Sequence, residues 1–181
     1  MTIREGKEMH RLMERLFPIT RSITGEGVRQ TLRILKEIVP ELEIKAVKSG
    51  ERCFDWVVPK EWKIDDAYLL EVETGKKVID FKRNNLHVVN YSIGVDKTLT
   101  FDELKEHLHY REDLPDAIPY VTSYYHPYWG FCLSYNQFKE LNPNSTYRAV
   151  IKAKHFDGEL NYGEIVLKGE TEDEILFSTY V

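Results

Sequence analysis

The side chains best suited to metal or acid–base chemistry are histidines, and two of them, His107 and His109, lie only two positions apart. Residues at i and i+2 share a face on a strand, but this pair falls at the end of a predicted helix, where the side chains diverge. The sequence has no Cys-x-x-Cys pair, no His-Glu-x-x-His motif and no carboxylate-rich calcium loop. We therefore interpret the two as solvated histidines near the negative end of a helix, and we predict no metal ligand in this chain.

Cys132 is the next candidate for chemistry, as a thiol nucleophile with a base such as His126. It lies within the apolar run from Trp129 to Leu133. Apolar surroundings raise the pKa of a thiol and so keep it protonated and unreactive. The sequence favours a small buried core residue instead. Cys53 has no candidate base nearby, and no residue of the chain is predicted to be catalytic.

The most unusual segment runs from Ile118 to Ser134 and crowds aromatic rings around serine, threonine and glycine. Aromatic faces with polar tips line pockets for sugars, peptides or amines. Such rings also simply close a small core, and both interpretations stay open. If the segment lines a pocket, the substrate-binding residues are expected to be Tyr124, Tyr125 and Trp129.

A weaker binding candidate is Arg21, in the segment Arg21 to Gly27 that opens a predicted helix. Free amides at a helix start, together with a guanidinium group, suit an anion such as a substrate carboxylate. The segment lacks the Gly-Lys-Ser/Thr end of a phosphate loop. A helix start capped by Thr24, with glycines for a tight turn, explains the same residues.

Composition and charge limit the classes to which the chain can belong. Its 181 residues are 42% hydrophobic and 30% charged, which is typical of a globular chain with one domain or one domain and an insert. The net charge of −5 argues against nucleic-acid binding, which usually requires clustered basic charge. No apolar stretch of about 20 residues predicts a membrane span, and the charged first residues leave no room for a signal peptide. With two cysteines, we expect a cytoplasmic protein with reduced thiols.

Two helices are predicted at the start of the chain. Apolar residues recur with helical spacing over residues 5–17 and again from Val28 to Val39, and a proline follows each stripe. Two short helices are predicted further on by capping boxes, in which serine or threonine precedes glutamate or glutamine by three positions. These are Thr100 with Glu103, and Ser134 with Gln137.

Short strands separated by turn residues predict a mostly antiparallel β unit. The predicted strands are 42–46, 54–58, 67–72, 77–81 and 86–91. Two longer strands, 147–156 and 159–168, flank Asp157-Gly158, a strong hairpin signal. The last eight residues, 174–181, form an apolar and β-branched run that is typical of a buried strand. We predict an α/β fold, mixed α+β in detail, in which a β-rich domain at 50–143 is inserted between parts 1–49 and 144–181.

Five long stretches of the sequence are specific enough to compare with known families. They are LFPITRSITGEGVRQTL (16–32), FDWVVPKEW (54–62), NLHVVNYS (85–92), DAIPYVTSYYHPYWGFCLS (116–134) and LNYGEIVLKGETEDEILFSTYV (160–181). Together, and in this order, they resemble the bacterial and archaeal aminopeptidase-like proteins. The resemblance covers nearly the whole chain.

The resemblance implies a zinc-dependent exopeptidase fold, an α/β/α sandwich around a mixed sheet, with an inserted domain of unknown function. It also implies metal-assisted hydrolysis of a peptide or amino-acid-conjugate substrate, in which zinc polarises the scissile carbonyl and activates a bound water. The family's metal ligands follow the strand on which this chain ends, so none can be matched to a position here. We therefore expect an N-terminal portion that is inactive alone, with zinc expected only in the full-length protein.

A second hypothesis gives the aromatic insert a non-catalytic role, as a binding or homo-oligomerisation module linked to polysaccharide biosynthesis. Neither hypothesis involves nucleic acid or a membrane. If 174–181 is a strand from the middle of a sheet, it exposes apolar surface when its neighbours are missing. The sequence therefore also predicts self-association of residues 1–181.

Overall fold

The computed structural model describes residues 3–180 and contains two compact units. One unit joins the residues up to Glu61 with those from Asp157 onward, and the other is Trp62–Phe156. The fold is mixed α/β with mostly antiparallel sheets, which confirms the predicted class. The assignment of 1–49 and 144–181 to an exopeptidase-like part, and of 50–143 to an insert, stays a prediction.

The described residues contain four α-helices, one 3₁₀ helix and ten strands. The helices are α1 (Ile3–Leu16), α2 (Glu26–Ile38), α3 (Phe101–Lys105) and α4 (Tyr135–Lys139), and the 3₁₀ helix is Asn85–His87. The strands are β1 (Glu43–Lys48), β2 (Arg52–Cys53), β3 (Trp56–Val57), β4 (Glu61–Glu71), β5 (Lys77–Asp80), β6 (Val95–Thr100), β7 (Leu108–His109), β8 (Phe131–Cys132), β9 (Thr146–Phe156) and β10 (Glu159–Glu164).

In the first unit, α2 lies against the antiparallel pair of β1 and β10. Gly163 of β10 makes this packing close, because a Cβ there would come within 2.8 Å of Leu42 and 3.2 Å of Leu32. The start of α2 differs from the sequence-based expectation. Gly25 occupies the N-cap position and supplies no side-chain bond, while the Thr24 hydroxyl donates to the Lys60 carbonyl instead. Thr24 therefore fastens the helix start to a neighbouring segment rather than capping it.

The second unit is built on a four-stranded sheet in the order β5-β4-β9-β6. Side chains from one face of this sheet, from α3 and from the strands β7 and β8 form a single buried core. Both predicted capping boxes are present, with reciprocal bonds between Thr100 and Glu103 and between Ser134 and Gln137. Each box begins a helix of 5 residues, so these local signals place α3 and α4 correctly.

The predicted hairpin at Asp157-Gly158 is wrong. β9 pairs within the four-stranded sheet, whereas β10 pairs with β1. Gly158 is held by Ser49, whose amide donates to the Gly158 carbonyl at 2.9 Å and whose hydroxyl accepts from the Gly158 amide at 3.1 Å. The dipeptide therefore passes the chain from one sheet to another instead of folding it back.

Two predicted strands are also wrong, and a third is shorter than predicted. Within 54–58 only Trp56–Val57 form a strand, β3, because Phe54 and Asp55 make the tight turn from β2, with Phe54 at a φ of 55° and almost fully exposed. Residues 86–91 contain the end of the 3₁₀ helix and isolated bridges rather than a strand. Residues 174–180 form no strand and are exposed, because no described backbone segment pairs with them. Val181, the last residue of that predicted strand, lies outside the described residues.

Candidate functional site

The candidate site is a small open recess in the second unit, with a volume of about 180 Å³. Two segments and the end of one strand supply its walls. The lining residues are Tyr91, Ile93, Ser123, Tyr124, Tyr125, His126, Pro127 and His155. None of these is Asp, Glu, Lys or Arg, so the described lining offers aromatic, aliphatic and hydroxyl groups without a carboxylate, ammonium or guanidinium.

Tyr91 lies at the base of the recess in an unusual backbone conformation. Its φ is 69°, in the left-handed region where a bulky residue is an outlier. It occupies the third position of a turn that closes with the Ser92 amide donating to the Val89 carbonyl at 3.2 Å. Such strain costs roughly 1–3 kcal/mol and persists only where the surrounding contacts enforce it. The turn aims the ring of Tyr91 into the unit, where only 7% of the residue remains exposed.

Three aromatic rings surround that of Tyr91. Tyr124 and His155 meet it edge-to-face, with centroid distances of 5.6 and 4.4 Å and interplanar angles of 76° and 72°. Trp62 lies on a further side at 6.4 Å, with its indole N–H donating to the Ser92 carbonyl at 2.8 Å. Perpendicular contacts of this kind are the favoured geometry for aromatic pairs. They hold the Tyr91 ring in one orientation, and burial raises the pKa of its hydroxyl, which keeps it protonated.

The wall that carries Tyr124 is tied to the base by backbone hydrogen bonds. The Asn90 amide donates to the Val121 carbonyl at 2.7 Å, the Ser123 amide donates to the Asn90 carbonyl at 3.0 Å, and the Ile93 amide donates to the Tyr128 carbonyl at 2.9 Å. These bonds flank Tyr91 on both sides along the chain. The recess is therefore largely formed before any ligand arrives.

The outer edge of the recess is polar. The hydroxyls of Tyr120 and Tyr124 lie 3.1 Å apart, within hydrogen-bond distance, and Tyr120 is exposed. Tyr125 is 77% exposed, and His126 is also exposed beside it. A ligand seated against Tyr91 would meet these groups at its open side.

The structure brings two of the four predicted binding residues, Tyr124 and Tyr125, together at the recess. Trp129 lies elsewhere, in the core, with 7% of its surface exposed and its ring stacked on His107 at 3.6 Å. Arg21 belongs to the first unit, where its guanidinium donates to the Leu16 carbonyl at 2.7 Å, at the end of α1. A cation at that position suits the negative end of a helix.

Two residues of the recess, Tyr91 and His155, have no place in the sequence-based prediction. His155 carries a detectable signal, since it follows Tyr147, Ala149 and Ile151 at every second position on the inward face of β9. An imidazole at a position where the alternation predicts an apolar core residue indicates a site worth testing for function. Tyr91 carries no comparable signal, because nothing in Asn90-Tyr91-Ser92 predicts a positive φ.

The histidine pair is not solvated, which corrects the expectation for His107 and His109. Both are half-buried, and His109 belongs to β7, which pairs in parallel with β8. The Tyr128 hydroxyl donates to the Glu106 carbonyl at 3.0 Å and lies 2.9 Å from His109 Nε2, so the imidazole N–H donates to Tyr128. Burial lowers the pKa of His109, and the nearby His107 adds to the effect. His109 therefore lies among packed aromatic rings with a hydrogen-bond partner, rather than in solvent.

Metal binding has no ligand set in the part of the chain that the structure describes. No group of three or more His, Cys, Asp or Glu side chains is placed there to hold a metal ion. His87 is buried with its Nδ1 2.8 Å from the Cys132 carbonyl, and burial lowers its pKa. Cys132 is fully buried, which confirms the predicted small core residue, and burial raises the pKa of its thiol to about 12.

Comparison with known proteins places these residues in a family. Residues 61–154 match the family described as "Domain of unknown function (DUF2172)", a range that contains the whole recess except His155. The chain belongs to this family. Among the helices of residues 3–180, none has the length and apolar character needed to cross a membrane.

Two relatives from Clostridium acetobutylicum extend the comparison. One is named "Putative polysaccharide biosynthesis protein with aminopeptidase-like domain" and is 54% identical over 175 residues, which cover 97% of this chain and 40% of the relative. The other is a solved structure described as a "putative peptidase", with 53% identity and a TM-score of 0.86, covering 93% of this chain and 39% of that one. These relatives confirm the resemblance to aminopeptidase-like proteins. This chain spans about two-fifths of their length.

Proposed function

We propose that this chain contributes substrate contacts, rather than hydrolytic chemistry, to an aminopeptidase-like protein. The observation that carries the proposal is the recess of Tyr91, Tyr124 and His155, which is held open by backbone hydrogen bonds and has aromatic walls. Small-molecule sites are concave and mostly apolar, with a few polar groups that fix orientation. The bound group would be part of a peptide or amino-acid conjugate, with Tyr124 and Tyr125 as its contacts. The names of the two similar proteins support a peptidase-like setting.

Zinc enters this proposal only for a longer protein. The resemblance implies zinc-assisted hydrolysis, which requires a ligand set and a bound water. The residues described here do not fit a zinc site, since they place no three ligands together. We therefore expect the 181-residue chain to bind without hydrolysing.

A hydrolysis assay tests the catalytic half of this proposal. The purified chain would be incubated with aminoacyl chromogenic substrates, with zinc and with a chelator. We expect no release of chromophore in either condition. Turnover that requires zinc and disappears with the chelator would show that residues 1–181 hold a complete metal site, and would contradict the proposal.

A binding measurement tests the other half. Tyr124→Ala should weaken the binding of N-acetylated amino-acid amides and of N-acetylated glycosyl amino-acid amides, because it removes one wall of the recess. Tyr68→Ala is a matched control, since Tyr68 lies in the same unit and does not line the recess. Equal binding by both variants and the wild type would place the ligand contacts elsewhere.

A second candidate function is binding without any hydrolysis, as a module linked to polysaccharide biosynthesis. The lining of the recess favours it, since it contains no Asp, Glu, Lys, Arg or Cys side chain. The name of the similar Clostridium acetobutylicum protein mentions both polysaccharide biosynthesis and an aminopeptidase-like domain. Assaying that longer protein separates them, because turnover of aminoacyl substrates supports the first function, while binding of the same substrates without turnover supports the second.

A further inference from the structure

We propose that the recess binds one uncharged, hydroxyl-bearing six-membered ring, such as a pyranose ring, as the part of the substrate that this chain recognises. The inference rests on the proposed function, in which the recess is the substrate contact, and it specifies the chemistry of the bound group. Four features of the recess lead to it: its volume, its lack of charge, the perpendicular rings at its base and its polar edge.

The volume restricts the ligand to a single ring. At about 180 Å³ the recess is smaller than sites for drug-sized ligands, which occupy roughly 300–1,000 Å³. A sugar ring or one side chain fits this space, whereas several residues of a peptide do not. The recess is also open to solvent, so the rest of a conjugate can extend outward from the bound ring.

The absence of charge selects a neutral ligand. No Asp, Glu, Lys or Arg lines the recess, whose ionisable side chains are tyrosines and the imidazoles of His126 and His155. A bound ammonium would therefore lose water without gaining an opposite charge, and a bound carboxylate would meet no guanidinium or ammonium group. Such desolvation is costly unless the charge is paired and hydrogen-bonded. A free amino group or a uronic acid carboxylate is therefore disfavoured against Tyr91.

The rings at the base offer apolar contact to one side of a ligand. Tyr124 and His155 stand nearly perpendicular to Tyr91, so they form walls around it rather than a flat stack. A pyranose has C–H groups on its faces and hydroxyls around its edge, which matches an aromatic base beneath a polar rim.

The polar edge separates a sugar from an aromatic side chain. The hydroxyl of Tyr124, a lining residue, lies 3.1 Å from the hydroxyl of the exposed Tyr120. The Ser123 hydroxyl, which donates to the Asn90 carbonyl at 3.2 Å, keeps its lone pairs for another donor. A phenyl ring would cover such groups without bonding to them. Sites built to hydrogen-bond a ligand reject analogues that lack the matching group.

The test uses the complete 181-residue chain and three neutral or charged single-ring probes. The probes are methyl glucopyranoside, its uronic acid counterpart and N-acetylphenylalaninamide. Saturation-transfer NMR detects the binding of each probe, and titration gives its affinity. We expect methyl glucopyranoside to bind in the millimolar range, which is what a ligand with few atoms allows. The uronic acid and the aromatic amide should bind more weakly.

Two variants at one position make the assignment specific. Tyr124→Phe keeps the ring and removes the hydroxyl, and should weaken glucoside binding by about three- to ten-fold, the effect of one lost hydrogen bond, with no change for the aromatic amide. Tyr124→Ala removes the wall and should abolish binding of both probes. Tyr135→Phe is the matched control, because Tyr135 stacks with Phe138 away from the recess lining, and it should bind like the wild type.

The outcomes separate this inference from the proposed function. Binding of the aromatic amide that is lost in Tyr124→Ala, without glucoside binding, would overturn the inference and leave the proposed function standing. Glucoside binding that is unchanged in a folded Tyr124→Ala protein would place the sugar elsewhere and overturn the inference. Absence of binding by every probe would overturn both. Circular dichroism of each variant confirms that it is folded.

Discussion

Tyr91 and His155 lie edge-to-face with their ring centroids 4.4 Å apart, and this contact joins a strained turn to the end of a central strand. His155 is fixed by the inward register of β9, while Tyr91 reaches it only because its φ is 69°. The recess therefore depends on a backbone conformation that glycine adopts more readily than tyrosine.

The first prediction compares Tyr91→Gly with Tyr91→Ala. Both variants lose the ring and its contacts, so both should be less stable than the wild type. Glycine tolerates the positive φ, whereas the Cβ of alanine costs about 1–2 kcal/mol there. We expect Tyr91→Gly to be more stable than Tyr91→Ala by about 1 kcal/mol, measured by urea unfolding. The opposite order would show that the turn relaxes to a negative φ once the ring is gone.

Much of the fold could be predicted because its signals are local. The capping boxes at Thr100 and Ser134 begin helices where the sequence predicts them. In each box the hydroxyl and the side chain three residues later accept hydrogen bonds from backbone amides of the first helical turn, and this depends little on the rest of the fold. The burial of Cys132 also follows from its apolar neighbours. These interactions involve residues that are close in the sequence.

The failures involve residues that are distant in the sequence. Asp157-Gly158 carries a hairpin signal, yet Gly158 bonds to Ser49 and β10 pairs with β1. A strand pairs with whichever neighbouring strand gives the more stable sheet, and the residues of the turn alone do not determine this choice. The residues of the recess show the same contrast. Tyr124 is predicted from the local density of aromatic residues. Tyr91 and His155 reach the recess through the strained turn and the register of β9, which the local sequence does not reveal.

The second prediction concerns the two cysteines. Cys53 is exposed and Cys132 is buried, with a pKa of about 12 for the Cys132 thiol. Because burial raises this pKa and shields the sulfur, very little Cys132 thiolate is available at pH 8. A disulfide-exchange reagent should therefore label the native protein once, at Cys53. The Cys53→Ser variant should stay unlabelled until denaturant is added; prompt labelling of that variant would contradict the burial of Cys132.

The third prediction concerns a buried ion pair in the first unit. Arg29 of α2 binds Glu61 through both of its terminal nitrogens, at 2.6 and 3.1 Å, and also reaches Asn161 at 3.2 Å. Arg29→Ala removes the cationic partner of the buried Glu61 carboxylate, which keeps a hydrogen bond from the Glu159 amide at 3.2 Å. It also breaks the exposed pair of Arg29 with Glu26. We expect a loss of about 3 kcal/mol, at the low end for a broken buried pair, because 25% of the Arg29 side chain is exposed. Arg148→Ala breaks an exposed pair with Asp96 and should cost far less.

The same pair predicts an acid-sensitive component of stability. Hydrogen bonds from Arg29 hold the pKa of Glu61 below its ordinary value of 4.5. Glu61 therefore binds a proton less readily in the folded state than in the unfolded state. The stabilisation of the folded state by the ionised Glu61 is fully present above pH 4.5. It declines as the pH falls from there through the lowered folded-state pKa. In urea unfolding from pH 7 to pH 3, the stability difference between wild type and Glu61→Gln should narrow at the acidic end, and a constant difference would rule out this linkage.

The fourth prediction reverses an ordinary rule for glycine in helices. Replacing glycine by alanine within a helix usually stabilises by about 1 kcal/mol. At Gly27, however, a Cβ would lie 1.9 Å from the Thr20 carbonyl oxygen, so the segment before α2 must move. We expect Gly27→Ala to lower the midpoint of thermal unfolding, at a cost of about 1–3 kcal/mol. Gly169→Ala, where the new methyl group meets nothing within 4 Å, should leave the midpoint unchanged.

The fifth prediction is self-association of the 181-residue chain through exposed apolar side chains. Ile175, Leu176 and Phe177 are 83–90% exposed, and Met13 and Phe17 are 60% exposed. Exposed apolar side chains of this kind promote contact between molecules. Light scattering at two protein concentrations should show a mass that rises with concentration, and the double variant Leu176→Lys, Phe177→Lys should reduce that rise.

A second double variant separates apolar contact from charge. Thr171→Lys with Ser178→Lys adds the same two positive charges near the same segment and keeps Leu176 and Phe177. If association is driven by the apolar residues, this control should associate like the wild type. An equal reduction by both variants would assign the effect to charge repulsion, because the apolar side chains remain in only one of them. A wild-type mass that stays monomeric at both concentrations would show that these side chains do not bring molecules together.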